Sequence, residues 1–462
     1  MDKKLSFKAY GIVGLMLFAL FFGAGNLIFP ALLGQQAGSN VWPAALGFLV
    51  TGVGLPFLGI LAMGFSGSKN LQELAGRVNP IYAVIFTSAL YLTIGPFFAI
   101  PRTATVSFEV GIAAPFMNGN TTVALWIYSA IFFGVTLLFC LKPAKIVDNV
   151  GKILTPGIVI GLVILLSMVI FKPMGTPQIP QEGYIEGALF KGFTEGYNTM
   201  DALASLVFAI IVIHAIQRMG VNSKRGILKA TAISGGVAAG LLGIIYVGIA
   251  FLGATSVKLF GYFENGGPVL SHAANHYFGI YGSILLGIVI VLACLTTSIG
   301  LITSCGEYFN TLFPKISYKA FVVLFSVFSF VVSNAGLTNI ITFSIPVLML
   351  LYPLAVVLIF LTFTSPLFKH AKMVYVASTA VALCVGLVDG LKTFFASIEM
   401  DNPSWFQPIV TFYEHNLPLY TQGLGWLLPV LIVMVITGII ARLTNISVPV
   451  SKREANVNSQ NA

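Results

Sequence analysis

About twelve runs of some 20 predominantly apolar residues follow one another along this chain of 462 residues, separated by short polar loops. A helix of that length matches the hydrocarbon thickness of a bilayer. Helices are expected because lipid offers no hydrogen-bond partner to an unpaired backbone. Charged residues make up only 8% of the chain, which is too few for a soluble protein of this size. We predict an all-α integral membrane protein with helices 1 to 12 at about 9–33, 41–65, 80–108, 121–141, 150–171, 197–218, 226–256, 280–310, 318–334, 338–364, 372–394 and 422–442.

Loops on alternate sides of these helices differ in charge. Basic residues concentrate in one set, for example Lys224 and Arg225 between helices 6 and 7, whereas Glu182 and Glu186 lie in the other set. Lys and Arg mark the cytoplasmic loops of membrane proteins. The net charge of +9 therefore reflects membrane orientation rather than nucleic-acid binding. We predict that both termini are cytoplasmic, including a tail at 443–462.

Helix 1 contains an unusual group of residues near its centre, Gly23, Ala24, Gly25 and Asn26. Each glycine costs about 1 kcal/mol relative to alanine inside a helix. We predict that helix 1 is interrupted here and that the freed backbone groups line a cavity, because lipid cannot satisfy them. The alternative is that these glycines only allow neighbouring helices to pack closely.

The order of the helices allows an internal repeat. If helices 1–5 (about 9–171) and helices 6–10 (about 185–364) are two copies, the second copy begins on the opposite side of the membrane, because five is odd. Such inverted repeats are typical of secondary transporters. We predict a single transporter domain over 1–462, with two additional C-terminal helices at about 372–442.

The repeat predicts that helix 6 is interrupted in the same way as helix 1. Tyr197, Asn198 and Thr199 lie in a glycine-rich polar stretch directly before its apolar run. We interpret this stretch as the break, with an outer half-helix drawn from about 185–196. An ordinary loop that ends in an Asn or Asp helix cap would also account for it.

Helix 8 carries three adjacent hydroxyl side chains, Thr296, Thr297 and Ser298. Neutral oxygen ligands suit an alkali cation better than a transition metal. An interrupted helix 1 adds free carbonyls at one half-end and free N–H groups at the other, which suit a cation and a carboxylate. Together they predict a midplane site for an amino acid and a monovalent cation. The alternative is that the hydroxyls only bond to carbonyls one turn earlier in their own helix.

Few ionisable residues lie within the apolar runs, and such residues are functional candidates by default. Arg102 in helix 3 is a candidate for an external gate, or else an interfacial residue whose charge reaches water. Asp201 at the start of helix 6 could couple to a cation, or else cap the helix. His214 is a weaker candidate for proton relay, and Glu307 is expected to be solvated.

Sequence motifs of common enzymes are missing from the chain. It contains no phosphate-binding glycine loop with lysine, no HExxH and no Gly-x-Ser-x-Gly elbow. We therefore predict that the protein is not an enzyme and that it uses no organic cofactor.

Three motifs resemble those of one known family. They are FGAGNLIFP at 22–30, GPFFAIPRTA at 95–104 and GYNTMD at 196–201. Together they are similar to the bacterial branched-chain amino acid:cation symporters, within the amino acid/polyamine/organocation superfamily that shares the leucine transporter fold. The resemblance covers essentially the whole chain. It implies a 5+5 inverted repeat with interrupted helices 1 and 6, and symport of leucine, isoleucine or valine with sodium across the bacterial cell membrane.

The resemblance also implies a sodium site between helices 1 and 8. Two carbonyls of helix 1, one carbonyl of helix 8 and two hydroxyls of helix 8 would bind the ion. These belong to Ala19, Phe22, Ala293, Thr296 and Thr297. Sodium is then the coupling ion and the only metal expected.

The substrate site implied by the resemblance lies at the two helix breaks. The substrate carboxylate would meet backbone N–H groups around Ala24 and Gly25. Asn26 also matches a ligand of a second sodium site in some relatives, but the rest of that site is not evident in helix 6 or 7. The full set of implied substrate-binding residues is Gly23, Ala24, Gly25, Asn26, Tyr197, Asn198 and Thr199.

Other functions stay open from the residues alone. A proton-coupled amino acid carrier would transport without sodium and would depend on Asp201 or His214. A channel would show flux without saturable accumulation of substrate. A membrane receptor would bind a ligand without uptake, and the lack of a sizeable extramembrane domain disfavours it.

Overall fold

A computed structural model describes residues 5–117, 119–141 and 146–444 of the chain, and it confirms an all-helical membrane architecture. These described residues contain no β-strand. Eight helical spans among them are long and apolar enough to cross a membrane, and four shorter apolar helices accompany these spans. Residues 445–462 of the predicted tail lie outside the described range.

Each predicted apolar segment overlaps a helix of the structure, so the helix numbers are kept. Helix 1 comprises Phe7–Phe21 (helix 1a) and Ala24–Ala37 (helix 1b), helix 2 residues 41–66, helix 3 Pro80–Phe116, helix 4 Thr122–Leu141, helix 5 Ile146–Phe171, helix 6 Ala188–Glu195 (helix 6a) and Asp201–Arg218 (helix 6b), helix 7 Lys224–Phe260, helix 8 Gly267–Leu312, helix 9 Tyr318–Ser333, helix 10 Leu337–Thr364, helix 11 Lys372–Ser397 and helix 12 Leu427–Leu443.

Helices 1 and 6 are both interrupted, as the sequence predicts. Residues 22–23 separate helix 1a from helix 1b, and residues 196–200 separate helix 6a from helix 6b. The alternative of an ordinary loop before helix 6 is wrong, because helix 6a precedes the break. Two breaks near the middle of the fold leave backbone groups that must find partners there.

Two elements differ from the sequence predictions. Helix 8 begins at Gly267 rather than near residue 280, and it bends at Gly279, whose φ of 62° a residue with a side chain rarely adopts. A short helix, Gln407–Asn416, lies inside the stretch predicted as a loop between helices 11 and 12. Its sequence is half polar, so hydropathy alone does not reveal it.

Helix 7 packs along helix 1b through a close contact of small residues. A Cβ atom on Gly253 of helix 7 would lie 2.1 Å from the Ala31 carbonyl oxygen. A Cβ atom on Gly34 of helix 1b would lie 1.9 Å from the Ala250 carbonyl oxygen. Because no real Cβ atom fits at these distances, the two backbones approach this closely only with glycine at both positions. The contact holds helix 1b in place after the break.

Gly253→Ala is expected to destabilise the protein by about 1–3 kcal/mol, because the added methyl group forces helix 7 away from helix 1b. Gly240→Ala on the same helix is the matched control, since a Cβ atom there meets nothing within 4 Å. The control should be neutral or stabilising by up to about 1 kcal/mol. The midpoint of thermal unfolding in detergent compares the two variants, and equal midpoints would refute the close contact.

The two halves of helix 1 connect the elements around the breaks. Helix 1a contacts helices 6b and 8, whereas helix 1b contacts helix 3 and the unwound segment of helix 6. The two breaks and helices 3 and 8 therefore enclose one region, which contains the candidate site.

Candidate functional site

The break in helix 1 consists of Phe22 and Gly23, whose backbones are extended with φ/ψ of −72°/94° and −126°/−164°. The Gly23 N–H donates to Asn26 Oδ1 at 2.9 Å, so Asn26 caps the start of helix 1b. Gly23 has a negative φ and does not need the conformational freedom of glycine. Glycine fits at position 23 because it has no side chain: a Cβ atom there would lie only 3.2 Å from Thr297 Cγ2 of helix 8. The break thus lies directly against helix 8.

The break in helix 6 is one 3₁₀ turn, Gly196–Thr199, followed by Met200 in the left-handed conformation with a φ of 63°. This conformation is uncommon for a residue with a side chain and costs about 1–2 kcal/mol. Thr199 stabilises the turn with its hydroxyl, which donates to the Gly196 carbonyl at 2.9 Å and accepts from the Asp201 N–H at 3.3 Å. The chain changes direction at Met200 and helix 6b begins at Asp201.

Three buried polar side chains connect the two breaks to helix 7. The Asp201 carboxylate accepts at Oδ2 from Asn26 Nδ2 at 2.6 Å and from the Tyr246 hydroxyl at 2.8 Å. Asn26 Nδ2 also contacts the Tyr246 hydroxyl. The carboxylate of Asp201 therefore joins helices 1, 6 and 7 instead of capping helix 6b. In a buried setting such a network is worth more than its separate bonds.

Arg102 of helix 3 lies beside the same breaks and is only 3% exposed. Its Nη1 donates to the Asn198 carbonyl of the unwound segment at 2.9 Å. Its guanidinium lies over the Phe29 ring of helix 1b, 4.9 Å from the ring centre. The ion pairs found among the described residues join Lys191 with Glu195 and Lys392 with Glu414, so Arg102 is partnered by a carbonyl rather than by an acidic gate residue.

A cavity of about 40 Å³ lies between the breaks. That volume admits a few water molecules, whereas sites for organic ligands usually measure several hundred Å³. An amino acid would therefore enter only after the surrounding helices move apart. The predicted residues that line the cavity are Gly23, Ala24, Gly25, Asn26, Arg102, Thr199, Asp201 and Thr297.

The predicted cation ligands of helix 8 are close to the break in helix 1. The hydroxyls of Thr296 and Thr297 both donate to the Ala293 carbonyl, at 2.8 and 3.0 Å. They therefore bond to a carbonyl one turn earlier in their own helix, which is the alternative to a cation site given above. Thr297 also lines the cavity opposite Gly23. Ala19, Phe22, Ala293 and Thr296 do not line it. Phe22 is buried, and its N–H still bonds to the Phe18 carbonyl at 2.7 Å.

Two predicted substrate residues lie outside the cavity lining. The ring of Tyr197 stacks on Tyr352 of helix 10 at 4.1 Å, and the side chain of Asn198 donates to Glu195 at 2.8 Å. The candidate residues His214 and Glu307 are exposed at the surface of the described structure and also do not line the cavity.

Sequence reasoning missed Tyr246, the third member of the buried network. It is a tyrosine within the long apolar helix 7, and hydropathy offers no signal that separates it from other tyrosines. Its proximity to Asn26 and Asp201 depends entirely on how helix 7 packs against helix 1b.

The site combines one buried carboxylate, one buried guanidinium and the N-terminus of helix 1b with mostly apolar walls. Asp201 and Arg102 lie on the same cavity but form no ion pair within 4 Å. Separate positive and negative groups beside apolar walls suit a small zwitterion with an apolar side chain.

Comparison with protein families places the chain among membrane transporters. The profile of the Branched-chain amino acid transport protein family matches residues 7–444. The branched-chain amino acid permease BrnQ of Bacillus subtilis (strain 168) is 49% identical over 429 residues, which cover 93% of this chain and 96% of that protein. The branched-chain amino acid permease BraB of the same strain is 47% identical over 430 residues, with 93% and 94% covered. The branched-chain amino acid transport system 2 carrier protein of Pseudomonas aeruginosa is 44% identical over 431 residues, with 93% and 95% covered.

Solved structures share the fold at low sequence identity. MhsT in complex with L-phenylalanine has a TM-score of 0.56 at 15% identity and covers 96% of this chain and 99% of its own. Mhp1, a nucleobase-cation-symport-1 family transporter, in a closed conformation with bromovinylhydantoin bound, has a TM-score of 0.55 at 16% identity, with 94% and 91% covered. These similarities concern the fold alone.

Proposed function

This chain belongs to the branched-chain amino acid transport protein family, and within that family we propose that it is a secondary symporter that imports leucine, isoleucine or valine together with sodium by alternating access. The observation that carries the proposal is the pair of interrupted helices whose breaks line one cavity. In secondary transporters, substrate and ion sites form at such breaks.

Apolar walls support the class of substrate. Phe21, Ile94, Ala204, Phe208 and Leu301 line the cavity with side chains suited to an aliphatic group. The three relatives described above are named for branched-chain amino acids. One methylene group changes binding in an apolar pocket by only about 1–3 kcal/mol, so leucine, isoleucine and valine should all be transported.

The proposed sodium site lies where helix 1a ends against helix 8. Carbonyls of Ala19, Phe22 and Ala293 would bind the ion together with the hydroxyls of Thr296 and Thr297. The hydroxyl oxygens keep lone pairs for a cation while their protons bond to Ala293. A bound ion would hold helix 1 against helix 8 and so favour the arrangement of helix 1b that accepts substrate.

The size of the cavity supports a transport cycle in which the site opens and closes. Because the cavity of about 40 Å³ is too small for an amino acid, substrate enters and leaves only when the helices around the breaks separate on one side or the other. We propose that two groups of helices, a bundle and a scaffold, rock around the site, and that both termini lie in the cytoplasm of a bacterial cell.

Uptake of labelled leucine into vesicles that contain the purified protein tests this function. The vesicles receive an inward sodium gradient, an inward proton gradient or neither. A tenfold sodium gradient is worth about 1.4 kcal/mol and a potential of 100 mV about 2.3 kcal/mol. Their sum of about 3.7 kcal/mol limits accumulation to roughly 500-fold at one sodium per substrate. We expect accumulation above the external concentration only with sodium, and equal uptake with and without sodium would exclude sodium symport.

Proton coupling is the second candidate because a buried carboxylate lines the cavity. Asp201 is 3% exposed and could take up a proton in one half of the cycle. In that case the proton gradient alone would drive accumulation of leucine. The same vesicle experiment therefore separates the two forms of coupling.

A further inference from the structure

Arg102 is a buried charged residue that has no role in the transport cycle proposed above. Building on the proposed function, we propose that Arg102 binds the α-carboxylate of the transported amino acid and, in doing so, releases the Asn198 carbonyl of the unwound segment of helix 6. Arg102 is then a specificity-determining residue for free amino acids. Its burial, its unused donors and its position all support this role.

The guanidinium of Arg102 has hydrogen-bond donors to spare. A guanidinium carries five N–H donors. Among the described residues, the acceptor found for Arg102 is the Asn198 carbonyl, which takes one of them. A buried arginine with so little pairing is costly, because its charge has lost its water. A carboxylate can accept two parallel N–H bonds from a guanidinium and would supply the missing pairing.

Arg102 is also placed at the start of helix 1b. Its Nη2 lies 2.9 Å from the point where a Cβ atom of Gly25 would be. The first-turn N–H groups of Ala24 and Gly25 have no acceptor within their own helix. A carboxylate at this point meets the helix N-terminus and the guanidinium together. Glycine at position 25 keeps this gap free of a side chain.

Charge around the cavity is arranged for a zwitterion. Arg102 and Asp201 both line the cavity, yet they form no ion pair within 4 Å. Two opposite charges that do not form an ion pair with each other can face the two charges of a zwitterion. The carboxylate of the amino acid would lie toward Arg102, and its ammonium group would lie toward Asp201.

The hydrogen bond from Arg102 to Asn198 can be exchanged for a stronger one. A charged carboxylate is a stronger acceptor than an amide carbonyl. When the carboxylate binds, Nη1 can leave the Asn198 carbonyl, whose bond of 2.9 Å holds the unwound segment to helix 3. Substrate occupancy then loosens Gly196–Thr199, the turn that connects helix 6a to Met200 and helix 6b. Binding is thereby linked to the movement of helix 6.

The test compares leucine with leucinamide, which lacks the carboxylate charge, for binding to purified wild type, Arg102→Gln and Arg102→Lys. Wild type should prefer leucine by at least about tenfold, the value of one hydrogen bond to a charged group. Arg102→Gln should lose most of this preference, and Arg102→Lys should recover part of it. Arg77→Gln is the matched control, because Arg77 also donates to a backbone carbonyl, that of Ser66, but does not line the cavity.

Hydrogen exchange at residues 196–201 provides a second readout. Leucine, but not leucinamide, should speed exchange there in wild type, and this difference should disappear in Arg102→Gln. If that variant cannot be purified, Arg102→Lys together with the wild-type comparison decides the question. A preference for leucine that is unchanged in Arg102→Gln, equal binding of both compounds to wild type, or exchange at residues 196–201 that leucine does not speed in wild type would overturn the proposal. Failure of wild type to accumulate leucine under any gradient would instead overturn the proposed transport function.

Discussion

Replacing Asp201 with alanine is expected to lower leucine uptake at least about 100-fold at equal amounts of protein in the membrane. The variant removes the acceptor shared by Asn26 and Tyr246, which lie in helices 1 and 7. Leaving a buried donor without a partner costs about 1–3 kcal/mol, and two such losses together reach the roughly 2.7 kcal/mol that corresponds to 100-fold. The helix 1 break would also lose the side-chain hydrogen bond from Asn26 to helix 6. The measurement is initial uptake of labelled leucine, normalised to the protein recovered in vesicles.

Two milder variants separate the causes of that loss. Asp201→Asn keeps one acceptor oxygen but removes the charge, and Tyr246→Phe removes a single donor while leaving the carboxylate. We expect about a tenfold loss for each, because each preserves part of the network. If Asp201→Ala transports within about twofold of wild type, the network is not needed for transport. If Asp201→Asn exchanges leucine across the membrane but never accumulates it, proton coupling through Asp201 is favoured.

Thr297→Ala is expected to raise the sodium concentration that half-saturates leucine uptake at least about tenfold, with uptake near wild type at saturating sodium. The variant removes a hydroxyl oxygen that lies beside the helix 1 break and lines the cavity. The loss of one interaction with a charged group is worth about 1.5–3 kcal/mol, or roughly 10- to 150-fold in ion affinity. Uptake measured over a series of sodium concentrations gives this value directly.

Ser304→Ala is the matched control for Thr297→Ala. Its hydroxyl lies on the same helix and bonds to the Gly300 carbonyl at 2.9 Å, but it does not line the cavity. Sodium activation should therefore be unchanged in this variant. An identical response of Thr297→Ala, Ser304→Ala and wild type to sodium would remove helix 8 from the ion site.

Much of the fold could be predicted because membrane helices obey local rules. The apolar segments follow from length and hydropathy, since each must satisfy its own backbone in lipid. The break in helix 1, which the structure places at Phe22 and Gly23, is visible in the sequence because two poor helix formers, Gly23 and Gly25, weaken the helix at membrane depth. The residues around Tyr197 fit either a break or a loop, so the sequence leaves helix 6 ambiguous. The structure resolves that ambiguity through helix 6a.

The candidate site was only partly predictable, because its partners come from distant parts of the chain. The Asn26 and Asp201 side chains are 175 positions apart, and Tyr246 lies 45 positions beyond Asp201. The position of Arg102 in helix 3 suggests a gate, yet its partner is the carbonyl of Asn198, which has no sequence signal of its own. Tyr197 and Asn198 belong to the same motif as Thr199 and Asp201. Their side chains, however, contact Tyr352 and Glu195 and do not line the cavity.

By itself, the sequence determined that this protein is a bundle of membrane helices with a break in helix 1, and its motifs indicated the transporter family. These features depend on short stretches of chain, where backbone hydrogen bonding and residue size act locally. Only the tertiary structure decided which groups meet at the break, because helix packing sets the direction in which each side chain points. That packing turned the Asn26 side chain to Asp201 and brought Arg102 against helix 1b. It also placed Arg102 and Asp201 beside the same small cavity without an ion pair between them.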